Sequence, residues 1–135
     1  MIIVPGRPDR PTEQRGQTFT GPVYADAVLP PTDGAAVNTV YFPPGSRTYW
    51  HRHERGQVLH VLAGGGLVCA DGERPHELRQ GDVVWSPPGE RHWHGAGPGT
   101  FLAHLAVSLG ITEWAGEVSE ADYSVAPDRR GLGAR

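Results

Sequence analysis

The sequence predicts an all-β fold, one domain built from short strands as a sandwich or barrel. Three observations predict it. The chain holds 19 glycines and 13 prolines in 135 residues, spread so that hardly any dozen consecutive residues lack both, which leaves little room for long helices. Short apolar and β-branched runs alternate with recognisable turn sequences. The length suits one hydrophobic core and not two.

Residues 1–18 mix Pro, Gly, Arg and Asp without periodicity and read as an arm, mobile unless docked on a partner subunit. Residues 19–125 form the domain proper. Its strand-like runs are T-F-T-G-P-V-Y from position 18, A-V-N-T-V-Y-F from 36, R-T-Y-W-H-R-H from 47 and Q-V-L-H-V-L-A from 57. They continue with G-L-V-C-A from 66, H-E-L-R from 76, D-V-V-W-S from 82, R-H-W-H-G from 91 and T-F-L-A-H-L-A-V from 100. Turn signals separate them at F-P-P-G (42–45), A-D-G-E (70–73), R-Q-G-D (79–82) and S-P-P-G (86–89). Gly64 to Gly66 read as a further tight turn between strands, because the helix that a phosphate-binding loop needs does not follow. Residues 111–123 read as one or two helical turns with Thr112 and Ser119 as caps. Residues 126–135 read as a frayed tail.

Composition excludes several function classes. The net charge is -3 and the twelve basic residues are scattered, so neither nucleic acid nor a membrane surface is expected as a partner. All twelve are arginine, which removes Schiff-base chemistry and a lysine general base. Cys69 is the single cysteine, so no internal disulfide or cysteine-rich metal site is available; its flanks, L-V-C-A, suit a buried strand. The starting run M-I-I-V-P is too short for a signal peptide and no segment could span a bilayer, so a soluble cytoplasmic protein is expected.

Chemistry concentrates in the histidines. Of seven, five fall on three of the strand-like runs: His51 and His53, His92 and His94, and His104. Side chains alternate along a strand, so each H-x-H pair points to one face, and two such strands side by side focus several imidazoles on one point. Neutral imidazole suits Zn, Cu, Fe and Ni, and with oxygen ligands Mn. His104 is polar within the apolar run F-L-A-H-L-A-V and needs a partner. It is either a core histidine bonded to a backbone carbonyl or an imidazole placed for proton transfer. By parity His94 either faces the interior, beside the ligands or against substrate, or is a structural histidine. His60 runs out of phase with Gln57, His76 lies in the stretch R-P-H-E, and Glu54 has the wrong parity to join His53. By parity with His51, Tyr49 is a pocket wall, whereas Trp93 faces away from the ligands. No G-x-S-x-G elbow is present.

The stretch G-S-R-T-Y-W-H-R-H-E-R-G-Q from Gly45 to Gln57, continuing to Gly64, resembles the first motif of the cupins, and Gly81 to His92, G-D-V-V-W-S-P-P-G-E-R-H, resembles the second. The resemblance covers roughly residues 19–125. It implies a jelly-roll barrel of six to ten strands holding one divalent metal, with His51, His53, Gln57 and His92 as ligands. Two positions depart from the pattern: Gln57 stands where an acidic ligand is usual, and Ala96 where an asparagine sometimes closes the second motif. Without a carboxylate the metal keeps its full charge, which favours Lewis-acid over oxidative chemistry.

The combination W-H-x-H-x3-Q, then G-D-V-V-W-S-P-P-G-E-R-H-W-H-G-A, T-F-L-A-H-L-A-V and a trailing E-W and D-Y is similar to small bacterial cupins. These include manganese-dependent hydroxynitrile lyases and cupins associated with carboxymuconolactone decarboxylases. That resemblance implies manganese ahead of Fe, Zn or Ni, a proton-transfer role for His104, and a homo-oligomer, dimer or tetramer. The expected lining of Tyr49, Leu59, Val61, His94 and Leu102 suits a small, largely hydrophobic or aromatic substrate. A cupin oxygenase or polyketide-type cyclase at the same site, and a non-catalytic binding cupin, are the alternative readings.

Overall fold

The computed structural model describes residues 1–128. Its elements are β1 (Glu13–Arg15), β2 (Phe19–Thr20), β3 (Val23–Thr32), β4 (Ala35–Phe42), β5 (Arg47–Thr48), β6 (His51–His53), β7 (Gln57–Ala70), β8 (His76–Arg79), β9 (Val83–Ser86), β10 (His92–Ala96), β11 (Leu102–Leu109), β12 (Thr112–Trp114) and α1 (Glu120–Tyr123). The all-β class is as predicted. The strands form a nearly closed barrel in which β7 is common to two sheets. One sheet runs β1-β3-β4-β11-β7, with β9 on the other edge of β7. The second runs β7-β10-β5-β2, with β8 on β7, and β6 between β10 and β12.

The long β7 corrects the reading of the triple glycine. It pairs with β11 over residues 57–64 and with β10 over residues 66–70, so Gly64 to Gly66 are the bend by which one strand leaves the first sheet for the second. Gly64 has φ of +77°, and a Cβ there would be driven into the Phe101 carbonyl; one at Gly66 would strike the Gly95 carbonyl. Both glycines are there so that neighbouring backbones can approach.

Alternation along the strands sorts the side chains. On β6, His51 and His53 are buried and Arg52 is exposed. On β10, His92 and His94 face the barrel interior, while Trp93 packs on the opposite side with Trp50, Leu67, Cys69, Val118 and Tyr123. The interior cluster is Val23, Phe42, Val61, Leu78, Ala96 and Leu102.

Segments near both ends of the described residues are tied to this barrel. Within the stretch read as an arm, Thr12 donates its hydroxyl to Asp26 Oδ1 at 2.7 Å and Tyr41 donates to Oδ2 at 2.9 Å. The Thr12 bond in particular holds the Asp26 carboxyl below the ordinary range. That anchor directly precedes β1, which pairs Arg15 with Val23 and Glu13 with Ala25 on β3. At the other end, buried Arg47 donates to Glu120 Oε1 at 2.8 Å and to the Val118 carbonyl at 3.1 Å, and its guanidinium lies 4.2 Å from the Tyr123 ring centre. Tyr123 donates its hydroxyl to the Ala96 carbonyl at 2.7 Å. Ser119 caps α1 through Asp122 N at 3.0 Å, as read from the sequence. Thr112 does not cap a helix: its backbone is used in β12, paired with His53. Of the stretch read as a tail, Asp128 N donates to the Pro75 carbonyl at 2.8 Å, and residues 129–135 lie outside the described region. Among the described residues no helix is long and apolar enough to cross a membrane.

Gly64→Ala is expected to cost about 2 kcal/mol or more, because it combines a positive φ with a backbone collision. Equilibrium urea denaturation of the variant checks it.

Candidate metal centre

The β6–β10 pairing sets His92 directly opposite His51. Each of these rings is turned the same way by a bond to the carbonyl two residues earlier: His51 Nδ1 to Tyr49 O at 2.8 Å and His92 Nδ1 to Glu90 O at 3.0 Å. A carbonyl only accepts, so both Nδ1 atoms carry the proton and both Nε2 atoms present a lone pair. His53 Nδ1 lies 3.1 Å from Thr112 Oγ1, and its buried Nε2 has no partner. One nitrogen from each of His51, His53 and His92 lies within 4.8 Å of the others.

Gln57 completes the group from the first sheet. Its amide N–H donates to Ser108 Oγ at 3.1 Å, which directs Oε1 to within 3.2 Å of His92 Nε2. Two lone-pair atoms thus face one another in a buried site, together with the unpartnered Nε2 of His53. Such an arrangement is unfavourable alone and is relieved by a cation. The donor set of three imidazoles and an amide oxygen therefore fits a divalent metal.

Electrostatics agree with that donor set. Burial drives His51 well below the ordinary imidazole range, and His92 adds to the effect. Burial lowers His53 to about 4 and lowers His92 as well. All three are neutral near pH 7, the form in which imidazole binds a metal.

Beside the triad stand His94 and His104. The His94 ring centre is 5.2 Å from that of His51 and 4.8 Å from that of His104. His94 Nδ1 and His104 Nε2 are 3.0 Å apart and share one hydrogen bond across the barrel. The outer nitrogens, His94 Nε2 and His104 Nδ1, are buried without a protein partner. Burial holds His94 well below its ordinary range and lowers His104 to about 4.

His51, His53, Gln57, His94 and His104 line one cavity of about 580 Å³, whose apolar wall includes Phe19, Val40, Phe42 and Ala106. Some residues expected in that wall stand elsewhere. Tyr49 sends its hydroxyl to Glu117 at 3.0 Å on the surface, because the chain leaves strand geometry between β5 and β6 and the parity with His51 is lost. Thr48 lines the cavity in its place, its Oγ1 accepting from His94 N at 3.2 Å. Leu59, Val61 and Leu102 face inward as expected but are fully buried in packed core and do not line the cavity.

Four supporting residues were missed: Thr48, Thr112, Ser108 and Arg15. Ser108 left a readable signal, a polar side chain four residues beyond His104 and on the same strand face. Arg15 left none, since the three-residue β1 exists through its pairing with β3.

Two outcomes follow from burial and geometry. An unfolded imidazole titrates near 6.5, so between 6.5 and 4 the unfolded chain binds a proton that folded His104 does not, and stability falls as pH falls through that window. His104 contributes about 2 kcal/mol of loss between pH 7 and pH 5, measurable by urea denaturation of metal-free protein. His92→Ala removes a nitrogen donor and leaves Gln57 Oε1 without its counterpart; metal content by elemental analysis should fall well below that of the parent protein.

Known proteins place this geometry. The cupin domain family matches residues 38–105. An (R)-mandelonitrile lyase of Granulicella tundricola is 42% identical over 111 residues, covering 78% of this chain and 85% of that protein. A cupin-like protein of Thermotoga maritima superposes with a TM-score of 0.79 at 36% identity, over 86% of this chain and 94% of that one. The polyketide cyclase RemF of Streptomyces resistomycificus shares the fold, with a TM-score of 0.71 at 24% identity over 91% of each chain. With its two sheets joined through β7 and its buried histidine triad, the chain belongs to the cupin family.

Proposed function

We propose that this cupin is a metal-dependent lyase acting on a small hydroxy or carbonyl compound, in the manner of a hydroxynitrile lyase, with manganese as its ion. The observation that carries the reading is a metal-type donor set without a carboxylate with a neutral, hydrogen-bonded His94–His104 pair beside it. Similarity to an (R)-mandelonitrile lyase supports it.

His51, His53, His92 and Gln57 would hold the ion. When bound, a divalent cation supplies Lewis acidity that makes a substrate hydroxyl easier to deprotonate, undiminished here because all four donors are neutral. The protein's own groups do the rest. For a cyanohydrin, the His94–His104 pair takes the hydroxyl proton at one outer nitrogen. The bond between the rings then becomes charge-assisted, which spreads the added charge over both. The electron pair of the C–CN bond leaves with cyanide, the oxygen keeps a carbonyl, and the pair returns the proton so that hydrogen cyanide departs. Because burial disfavours the protonated pair, return of the proton is downhill. Phe19, Val40 and Phe42 offer a small aromatic or aliphatic substrate an apolar surface.

The same proposal takes the protein as a cytoplasmic homo-oligomer with residues 19–125 as its cupin unit. The exposed apolar start, Met1 to Val4, is a surface a second copy could cover.

His104→Ala tests the mechanism. With metal content equal to that of the parent protein, cleavage of a cyanohydrin is expected to fall about 100-fold or more. An unchanged rate with the metal retained would remove the proton-transfer role, and oxygen uptake in place of cleavage would transfer the site to oxygenase chemistry.

A further inference from the structure

The cavity contains a charged group that the lyase chemistry leaves unused. Its charged lining residues, apart from the histidines, are Arg15, Glu54 and Arg55. Glu54 Oε1 accepts from Ile111 N at 3.2 Å, and Arg55 donates to the Gly34 carbonyl at 3.5 Å. The Arg15 side chain has neither an ion pair nor a hydrogen bond among the described residues, and its Nε is buried. Its direction is set by register. Arg15 lies opposite Val23, which faces the interior core, so both side chains stand on the inner face of the sheet. The anchor of Thr12 on Asp26 fixes the backbone immediately before it.

Arg15 also sits far from the histidines along the wall. β1 is three strands from β11, which carries His104, roughly 14 Å at ordinary strand spacing. Between them the wall is Ala25, Val40 and Phe42, with no acidic side chain to neutralise a guanidinium. A half-buried guanidinium that lines the cavity and has no side-chain partner in the protein is a binding group for a planar anion.

We propose that Arg15 anchors a carboxylate at the end of the ligand remote from the histidines. This rests on the reading that a hydroxyl or carbonyl oxygen of the same ligand lies at the His51, His53 and His92 end. The favoured ligand class is then an apolar or aromatic body carrying an oxygen function at one end and a carboxylate at the other, rather than a neutral cyanohydrin alone. The N-terminal segment becomes part of the binding site, contributing specificity through one residue.

The test is isothermal titration of the full chain, with its metal content verified, against 4-(hydroxymethyl)benzoate and its neutral isostere 4-(hydroxymethyl)benzamide. The parent protein is expected to bind the acid at least ten-fold more tightly than the amide, and R15Q to lose that preference while keeping its metal. R15K, which retains the charge but not the two-pronged donor, is expected to keep a reduced preference; it decides the matter should R15Q be unstable. Equal affinity for acid and amide, no binding of either, or an acid preference unchanged in the variants each overturns the proposal, the last because the carboxylate is then held elsewhere. Neither probe is cleaved. A protein with no lyase activity can therefore still show an acid preference that R15Q abolishes, while an active lyase without that preference overturns the Arg15 assignment alone.

Discussion

Two backbone carbonyls decide what the interior of this barrel can bind. Tyr49 O and Glu90 O each accept the Nδ1 proton of the histidine two residues on, and those histidines face one another across the β6–β10 pair. The bonds do two things together. They fix the ring orientation, and they fix the tautomer, so that lone pairs and not protons converge on the centre. Thr112 Oγ1 lies at the same nitrogen of His53. If these partners were moved, the same three imidazoles would be buried as mismatched donors and acceptors, at a cost of about 1–3 kcal/mol for each unsatisfied group.

Neutrality is the second consequence. Burial pushes His51, His53, His92, His94 and His104 downward, and Gln57 brings an amide where a carboxylate would have brought charge. The cluster is thus an assembly of polar, uncharged donors whose combined lone pairs favour a cation. A cation bound to the folded chain and not to the unfolded one adds its binding free energy to stability. The site's composition and the fold's resistance to unfolding are for that reason one quantity seen from two sides.

Much of this was legible in the sequence because it depends on local period. H-x-H at 51–53 and at 92–94 fixes two rings on one face of any strand, and F-L-A-H-L-A-V isolates His104 as a buried polar group that must find a partner. What stayed hidden depends on where strands stop and on which strands meet. Tyr49 followed the parity of His51 only if β5 and β6 were one strand, and they are not. The triple glycine reads as a turn locally; only the two different partners of β7 turn it into a bend. Leu59 and Val61 point inward as their parity requires, yet depth along the barrel, which a sequence does not state, keeps them off the cavity, whose apolar wall is Phe19, Val40 and Phe42. His94 is intermediate: its inward direction was readable, while its partner, His104, comes from the other sheet.

That last contact shows how the site is assembled. His51, His53, His92 and His94 belong to the sheet built on β10, whereas His104, Ser108 and Gln57 belong to the sheet built on β11 and the first half of β7. The halves meet where His94 reaches His104 and His92 reaches Gln57. Neither half alone holds both His92 and Gln57, or both members of the His94–His104 pair. The bend at Gly64 to Gly66 brings the halves together, because it lets a single strand pair in both sheets. A substitution at the bend should therefore weaken metal retention as well as folding, even though Gly64 to Gly66 are not themselves ligands. The geometry of the centre is a property of sheet closure, set at the bend as well as at the histidines that display it.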